Sequence, residues 1–265
     1  MSLKFTDSHA HLNFSAFEKT LEKTLKNAKT KNVFKIICVS SNIEDSKKAV
    51  ALAKKYPKTV FASVGIHPQQ TDPENNQSLE NQIKELEILA KNNQVIAIGE
   101  CGLDYNPAPP EEKDRSKEDQ IYLFRKQVKL AKKLNLPLII HCRKAFEDLI
   151  EILEKEDLSL KKGVFHCYAG GKKGIKQVET LGFYFGLTGN ITYDEGLQNV
   201  FKIIPLEKIL LETDSPYLSP IPKRNQENQP ANIIFIAEFL ARLKNKPIEE
   251  ISKQTEKAIK ELFNI

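Results

Sequence analysis

Short runs of β-branched and apolar residues alternate along the chain with longer charged segments whose apolar residues recur at helical spacing. Phe17, Leu21 and Leu25 show this spacing between the first two runs. The short runs predict eight strands, at residues 3–6, 33–39, 60–64, 95–98, 138–140, 163–165, 183–187 and 209–211. Regular β–α alternation favours a parallel sheet, and eight such repeats predict an α/β fold closed into a (β/α)8 TIM barrel. The later helices are predicted near 197–203 and at 233–243 and 248–263.

Two proline-rich stretches interrupt this pattern, at residues 106–113 and 215–230. Proline fixes φ and removes a backbone donor, so neither stretch is expected to be regular. Each follows a predicted strand, and in a TIM barrel the loops at the C-terminal ends of the strands carry the active site. The sequence shows no repeat, linker or low-complexity tract, so we expect residues 1–265 to form one barrel domain.

The composition is that of a globular protein with a mild excess of positive charge. Of the 265 residues, 40% are hydrophobic and 28% charged, and 40 basic against 35 acidic residues give a net charge of +5. Such an excess permits a polyanionic partner without demanding one. No stretch resembles a membrane span or a signal peptide, and the four cysteines form no C-x-x-C pair. We therefore expect a cytoplasmic protein with no membrane partner and, lacking a long apolar helix face, a monomer.

Each of the five histidines follows a predicted strand. They are His9, His11, His67, His141 and His166. His9 and His11 are two residues apart, so on an extended chain both side chains point to one side and can bind one metal. In a closed barrel all five lie on the same rim. Because imidazole is a good ligand for zinc and manganese, the pattern predicts a metal site at that rim.

Two carboxylates follow predicted strands in the same way. Glu100 follows the fourth strand and Asp214 the eighth. A ligand shared by two ions allows them to lie about 3.5–4 Å apart. Glu100 suits this bridging position, because the fourth strand lies between the other ligands around the barrel.

The remaining ligands divide between two divalent cations. His9, His11 and Asp214 are expected on one ion, because strands eight and one are neighbours in a closed barrel. His141 and His166 follow the adjacent strands five and six and are expected on the other. Histidine-rich ligation suits zinc or manganese, whereas magnesium prefers oxygen ligands and water, although it can still serve in an assay.

Three neighbouring side chains have open assignments. Arg143 lies two residues after His141, so it either holds a phosphate or forms an ordinary ion pair at a helix start. His67 has no evident ligand partner and either contacts the substrate or orders a loop. Glu212 has the same strand parity as Asp214 and either supports a ligand or belongs to a buried ion pair; we expect a structural role.

Six segments resemble motifs of the TatD-related metal-dependent deoxyribonucleases, in that family's order. They are DSHAHL (7–12), GIHP (65–68), IGECGLDY (98–105), PLIIHCR (137–143), FHCYAG (165–170) and LLETDSPYL (210–218). The resemblance implies a TIM barrel with a two-metal centre and the same six ligands. It also implies hydrolysis of DNA phosphodiester bonds, often from the 3′ end. In the loop after strand eight the family usually has Arg-Gly, where this chain has Arg224-Asn225.

The predicted reaction is hydrolysis of DNA by water activated on two divalent cations, Zn, Mn or Mg. Asp214 is expected to accept the proton of the water, and Glu100 to hold both metals. Arg143, Arg224 and His67 are expected to bind phosphate or the terminal nucleotide. A hydrolase of an amide, ester or lactone is the alternative, because it would use the same centre. A binding module with a structural zinc is disfavoured, since such sites are usually closed and rich in cysteine.

Overall fold

The computed structural model describes residues 3–70, 78–107, 115–156 and 163–265. Within these ranges eight strands form one parallel sheet, and each strand pairs with the next along the chain. The strands are β1 (Phe5–Ala10), β2 (Val33–Cys38), β3 (Val60–Val64), β4 (Val95–Asp104), β5 (Leu138–Arg143), β6 (Gly163–Phe165), β7 (Tyr184–Leu187) and β8 (Ile209–Leu211). The α-helices are α1 (Ser15–Glu18), α2 (Leu21–Thr30), α3 (Ile43–Lys55), α4 (Leu79–Ala90), α5 (Lys117–Leu134), α6 (Phe146–Lys155), α7 (Gly171–Thr180), α8 (Glu195–Phe201), α9 (Ile233–Lys244) and α10 (Ile248–Phe263).

The sheet closes on itself between β1 and the segment that follows β8. The amide of Asp214 donates to the carbonyl of His9 at 2.8 Å, and the amide of His11 donates to the carbonyl of Ser215 at 2.8 Å. These bonds satisfy backbone groups that would otherwise be left at the edges of an open sheet. The predicted closed TIM barrel is therefore confirmed, and the seam brings the polar ends of β1 and β8 side by side.

Apolar side chains fill the barrel and also cover it from outside. The outer face of the strands packs against the apolar faces of the surrounding helices. Inside, a second cluster combines residues of the strands with the end of α10. Its members are Ile37, Val39, Ala97, Ile139, Val164, Tyr184, Leu210, Ala258, Ile259, Leu262 and Phe263. Helix α10 therefore packs across the N-terminal mouth of the barrel, which leaves the C-terminal mouth for a site.

Side-chain caps fix where several helices begin after the loops at the C-terminal mouth. Asn42 accepts a hydrogen bond from the Asp45 amide at the start of α3, and Asp194 accepts one from the Leu197 amide at the start of α8. Each cap contributes about 1 kcal/mol, because it satisfies an amide that has no partner within the helix. Of the helices described, none is both long and apolar enough to cross a membrane.

Three strands extend further than the sequence predicts. The observed and predicted last residues are 10 and 6 for β1, 104 and 98 for β4, and 143 and 140 for β5. His9, Glu100 and His141 therefore lie within strands, and the prediction that they follow them was wrong. Polar and glycine residues interrupt the apolar pattern at these positions, but backbone pairing continues past them.

The loops agree with the sequence where the structure describes them. Residues 215–230 contain turns and irregular backbone, as predicted, up to a short 3₁₀ turn at Pro230–Asn232. Residues 108–114, which include most of the other proline-rich stretch, lie outside the described residues. Helix α8 begins two residues before the helix predicted near 197–203.

Candidate metal centre

Polar side chains converge at the C-terminal mouth of the barrel. The six residues that the sequence assigns to a metal centre lie there in one cluster: His9, His11, Glu100, His141, His166 and Asp214. His9, His11, Glu100 and His166 are buried. Burial of ionisable groups is unfavourable unless they are paired or hold a metal, so this cluster requires compensation.

The two histidines of the first motif present their Nε2 atoms to each other. These atoms lie 3.3 Å apart. The Nδ1 atom of His11 lies 3.2 Å from the carbonyl oxygen of Val39. In a neutral ring this contact keeps the proton on Nδ1, since a carbonyl can only accept, and leaves the lone pair on Nε2. The Nε2 atom of His11 is therefore free to bind a metal.

The two carboxylate oxygens of Glu100 face different histidines. Oε2 lies 3.5 Å from Nε2 of His9 and 3.9 Å from Nε2 of His11. Oε1 lies 2.8 Å from Nδ1 of His141 and 3.9 Å from Nε2 of His166. One carboxylate thus reaches both pairs of histidines, which is the geometry that a bridging ligand needs.

The carboxylate of Asp214 contacts three of the same rings. Oδ1 lies 3.6 Å from Nε2 of His9, 3.4 Å from Nε2 of His11 and 3.7 Å from Nε2 of His166. Asp214 has a φ of 57°, in the left-handed region. That conformation costs an ordinary L-residue about 1–2 kcal/mol, and aspartate tolerates it better than most. The turn directly after β8 therefore positions this carboxylate over the barrel mouth.

These separations fit a bound divalent cation. Two ligands held tetrahedrally at about 2.1 Å from one ion are about 3.4 Å apart. The four contacts that Nε2 of His9 and of His11 make with Glu100 Oε2 and Asp214 Oδ1 range from 3.4 to 3.9 Å. His9, His11 and Glu100 form one group whose ligand atoms all lie within 4.8 Å of one another, and His9, His166 and Asp214 form another. Mixed imidazole and carboxylate donors suit zinc and manganese.

His166 is held in place by Glu212, a fully buried carboxylate. Oε1 of Glu212 lies 2.9 Å from Nδ1 of His166 and accepts a bond from the Cys167 amide at 2.7 Å. Burial lowers the pKa of His166, but the charges of Glu212 and Asp214 outweigh it and raise the pKa to about 10. A Cβ atom at Gly186 would lie 2.5 Å from this oxygen, so glycine leaves room for the carboxylate. Glu212 thus orients Nε2 of His166 toward the centre.

Replacing Glu212 is expected to weaken metal binding through His166. Carboxylates that orient a metal-binding histidine typically contribute about 10–100-fold to metal affinity. Glu212→Gln keeps an oxygen acceptor and loses the charge, so we expect a loss of about tenfold, and a larger loss in Glu212→Ala. Competition with a chelating dye measures the affinity, and circular dichroism checks the fold. Unchanged metal affinity in both folded variants would contradict this role.

Asp104 is a site residue that the sequence reasoning missed. Its Oδ2 lies 2.9 Å from Nε2 of His141, whose Nδ1 faces Glu100. Burial lowers the pKa of His141, but these two carboxylates outweigh it and raise the pKa to about 9. A protonated ring donates to both carboxylates, and loss of one proton leaves a nitrogen lone pair that can bind a metal. Asp104 is four residues after Glu100 on β4, so strand parity would have identified it if the strand had been predicted at its full length.

His67 lies beside His141, with ring centroids 4.3 Å apart. Its Nδ1 accepts a hydrogen bond from the Gln69 amide at 3.2 Å. Burial and the charge of His141 lower the pKa of His67 to about 3, so the ring is neutral and its proton is on Nε2. His67, Asp104 and His141 are close enough to hold an ion. The protonated Nε2 has no lone pair to offer, however, so His67 is better suited to donate a hydrogen bond than to bind a metal.

The carboxylates of the cluster are anionic at neutral pH. Burial alone would raise the pKa of Glu100, but the hydrogen bonds from His141 and His9 hold it well below 4.5. Burial is likewise outweighed at Asp214 by the charge of His166 and the hydrogen bond of His11, so its pKa is lowered. The pKa of Asp104 is lowered against burial by its bond with His141. Ionised carboxylate oxygens of this kind are ligands for divalent cations.

The two arginines assigned to substrate binding lie on the rim, outside the ligand cluster. Arg143 is exposed at the end of β5 and borders a groove beside Tyr105. Arg224 is exposed in the loop after β8, with its guanidinium 3.9 Å from the centroid of the Tyr193 ring. Neither arginine pairs with a carboxylate within the described residues. The helix-start ion pair that was the alternative for Arg143 is thus not formed there.

An aromatic surface beside the cluster was also not predicted. The ring of Phe14 stacks on His11 at a centroid distance of 4.5 Å, and Tyr217 meets the His11 ring edge-on at 6.4 Å. Tyr217 is 55% exposed. Nucleic-acid bases commonly stack on exposed aromatic rings. Both residues are in loops with no periodic signal, so the sequence pattern did not separate them from ordinary surface aromatics.

Comparison with known proteins gives a consistent result over nearly the whole chain. Residues 6–264 match the family model for the TatD related DNases. The chain is 36% identical over 262 residues to the uncharacterized metal-dependent hydrolase YabD of Bacillus subtilis, with 98% of both proteins covered. It is 31% identical over 266 residues to the 3′-5′ ssDNA/RNA exonuclease TatD of Erwinia tasmaniensis, which covers 98% of this chain and 99% of that protein. The crystal structure of YJJV, a TatD homologue from Escherichia coli K12, has a TM-score of 0.89 at 30% identity, with 100% of both chains covered.

The barrel and the cluster at its mouth define a metal-dependent hydrolase of the TIM-barrel type. More specifically, the chain belongs to the TatD-related DNase family. The resemblance of the six sequence motifs to that family is thereby confirmed.

Proposed function

We propose that this protein is a two-metal phosphodiesterase that removes nucleotides from the 3′ end of DNA. The observation that carries the proposal is that the two carboxylate oxygens of Glu100 face different histidines. Its Oε2 faces His9 and His11, whereas its Oε1 faces His141 and His166. With Asp214 near the first pair, this supports two divalent cations per chain, with Glu100 shared between them.

The donor set favours zinc or manganese over magnesium as the resident ions. Four imidazoles and two carboxylates supply more nitrogen ligands than magnesium usually accepts. Bound at this position, the cations would stabilise charge on the phosphoryl oxygens and activate a water for attack. We expect Asp214, whose lowered pKa keeps it ionised, to accept the proton of that water.

The rim supplies groups that suit a nucleotide. Arg143 and Arg224 are exposed cations without a carboxylate partner in the described residues, and guanidinium binds phosphate with paired hydrogen bonds. The Nε2 proton of His67 adds a neutral donor close to Glu100. Tyr217 and Phe14 offer rings on which a terminal base can stack. An amide or lactone would need none of the phosphate contacts. The relative from Erwinia tasmaniensis is named as a 3′-5′ exonuclease of single-stranded DNA and RNA, which supports the same polarity here.

The decisive assay uses pure protein with Mn²⁺, Zn²⁺ or Mg²⁺ on end-labelled single- and double-stranded oligonucleotides, beside a panel of amides, esters and lactones. Stepwise shortening from the 3′ end is expected on a sequencing gel. Scattered cuts would replace the exonuclease assignment with an endonuclease. Intact DNA with every metal, together with turnover of a lactone or amide, would establish the alternative hydrolase.

Replacing Arg143 with alanine is expected to impair DNA binding without removing metal. The loss of one charged hydrogen-bonding group should raise KM for DNA about tenfold. Arg143→Lys keeps the charge but not the paired donors, so it should recover part of the loss. Steady-state kinetics and elemental analysis of the purified variants measure both quantities. A fall in metal content, or an unchanged KM for DNA, would exclude this role for Arg143.

A further inference from the structure

A groove with an excess of positive charge runs along the rim next to the metal centre. Its volume is about 790 Å³, within the range of sites that bind ligands. Four cations border it, Lys117, Arg143, Lys144 and Lys173, and we call it the cationic groove. Two carboxylates, Glu147 and Asp148, also line it. The oxygen Oδ2 of Asp148 already accepts a bond from the Tyr105 hydroxyl at 2.7 Å, so the cations predominate.

The cations of the groove are available to a ligand. None of the four forms an ion pair in the part of the chain that the structure describes. Lys144, Lys173 and Arg143 are exposed, and Lys117 lies with Nζ 4.2 Å from the centroid of the Tyr105 ring. Cations grouped in a concave surface repel one another and attract polyanions. With four cations against two carboxylates in its lining, the groove keeps an excess of positive charge.

Lys144 occupies a backbone position that favours glycine. Its φ is 52°, in the left-handed region, which costs a lysine about 1–2 kcal/mol. Glycine would adopt this φ at no such cost. The chain thus has a lysine here although the backbone conformation disfavours it. This lysine directly follows Arg143 and lies at the edge of the groove.

The cationic groove borders the end of the strand that carries His141. Strand β5 ends at Arg143, two residues after His141, and Arg143 pairs in register with Asp104 of β4. The amide of Tyr105, which also lines the groove, donates to the Arg143 carbonyl at 2.9 Å. A polymer cut beside His141 must continue away from the centre, and the groove begins at the end of the strand that carries this histidine.

We propose that the cationic groove binds the phosphate backbone of the nucleic-acid strand being cut, beyond the nucleotide held at the metal centre. The proposal rests on the proposed function, since it assigns the path of that substrate. It implies that long strands bind more tightly than short ones through contacts made outside the metal centre. A substrate with a single phosphodiester, such as bis(p-nitrophenyl) phosphate, would not reach these lysines.

The test is a triple variant, Lys117→Ala with Lys144→Gly and Lys173→Ala, which leaves Arg143 and the metal centre intact. Fluorescence anisotropy should show about tenfold weaker binding of a single strand of about 20 nucleotides, and a slope of log affinity against log salt that is flatter by about 0.7 for each lost phosphate contact. Hydrolysis of bis(p-nitrophenyl) phosphate, and binding of a dinucleotide, should be unchanged. The matched control removes three lysines near the opposite mouth of the barrel, by Lys4→Ala with Lys253→Ala and Lys260→Ala, and should bind the long strand almost as the wild type does.

The possible outcomes distinguish a failure of the groove proposal from a failure of the proposed function. Wild-type affinity and salt slope in the triple variant would overturn the groove proposal even if the enzyme cleaves DNA. An equal loss of affinity in the control variant would also overturn it. If the wild type cleaves no phosphodiester, the proposed function fails, and the anisotropy comparison still decides the groove. Lys144→Gly alone is expected to fold normally, because its backbone position favours glycine. That single variant should weaken binding of the long strand, and unchanged binding in it would count against the proposal.

Discussion

Replacing Glu100 with alanine is expected to lower kcat/KM for phosphodiester hydrolysis by about 1,000-fold or more, since loss of a shared ligand forfeits about 4 kcal/mol of charge stabilisation in the transition state. Glu100 is the residue whose two oxygens face both histidine pairs, so its loss affects both proposed ions. Elemental analysis should find fewer than two ions per chain. His67→Ala is the comparison, because it removes a hydrogen-bond donor beside the same carboxylate and should cost about tenfold.

The informative result is which of the two variants, Glu100→Ala or His67→Ala, loses more activity. An equal or larger loss in His67→Ala would mean that Glu100 is not the shared ligand. Retention of two ions per chain by Glu100→Ala would mean the same. Glu100→Gln, which preserves shape and loses charge, should lie close to the alanine variant.

Removal of metal is expected to abolish hydrolysis. After dialysis against a chelator, DNA cleavage should fall to background, and Mn²⁺, Zn²⁺ or Mg²⁺ should restore it to different degrees. Return of metal should also raise Tm, because an ion present at about 100 times its Kd stabilises the folded state by about 2.7 kcal/mol. A His9→Ala/His11→Ala variant provides the control, since it should lose most of that shift. Full activity in the presence of the chelator would exclude a metal-dependent mechanism.

The barrel and the position of the six ligand candidates were predictable from the sequence. Regular alternation of short β-rich runs and amphipathic segments determines the fold class, and His9 and His11 needed only strand parity to be placed on one side. Their spatial clustering followed from closure of the sheet, which brings β1 next to β8. The roles of these residues as ligands, bridge and proton acceptor remain predictions.

The residues around the ligand candidates were harder to predict, because their positions depend on where strands end and on long-range contacts. Asp104 was missed because β4 continues for six residues beyond Ile98, where the strand was predicted to end. Glu212 could be placed by parity, but its partner His166 is 46 positions away in sequence. The exposed ring of Tyr217 depends on an irregular loop that no periodic pattern describes. The cationic groove combines residues from β5, α5 and α7, so only the folded chain brings them together.

Anomalous diffraction from crystals soaked in Mn²⁺ or Zn²⁺ tests the central claim most directly, since it locates the ions without an activity assay. We expect two peaks about 3.5–4 Å apart, with the carboxylate of Glu100 between them. One peak should have His9 and His11 as ligands, and the other His141 and His166. A single peak, or two peaks that share no contact with Glu100, would contradict the two-metal centre.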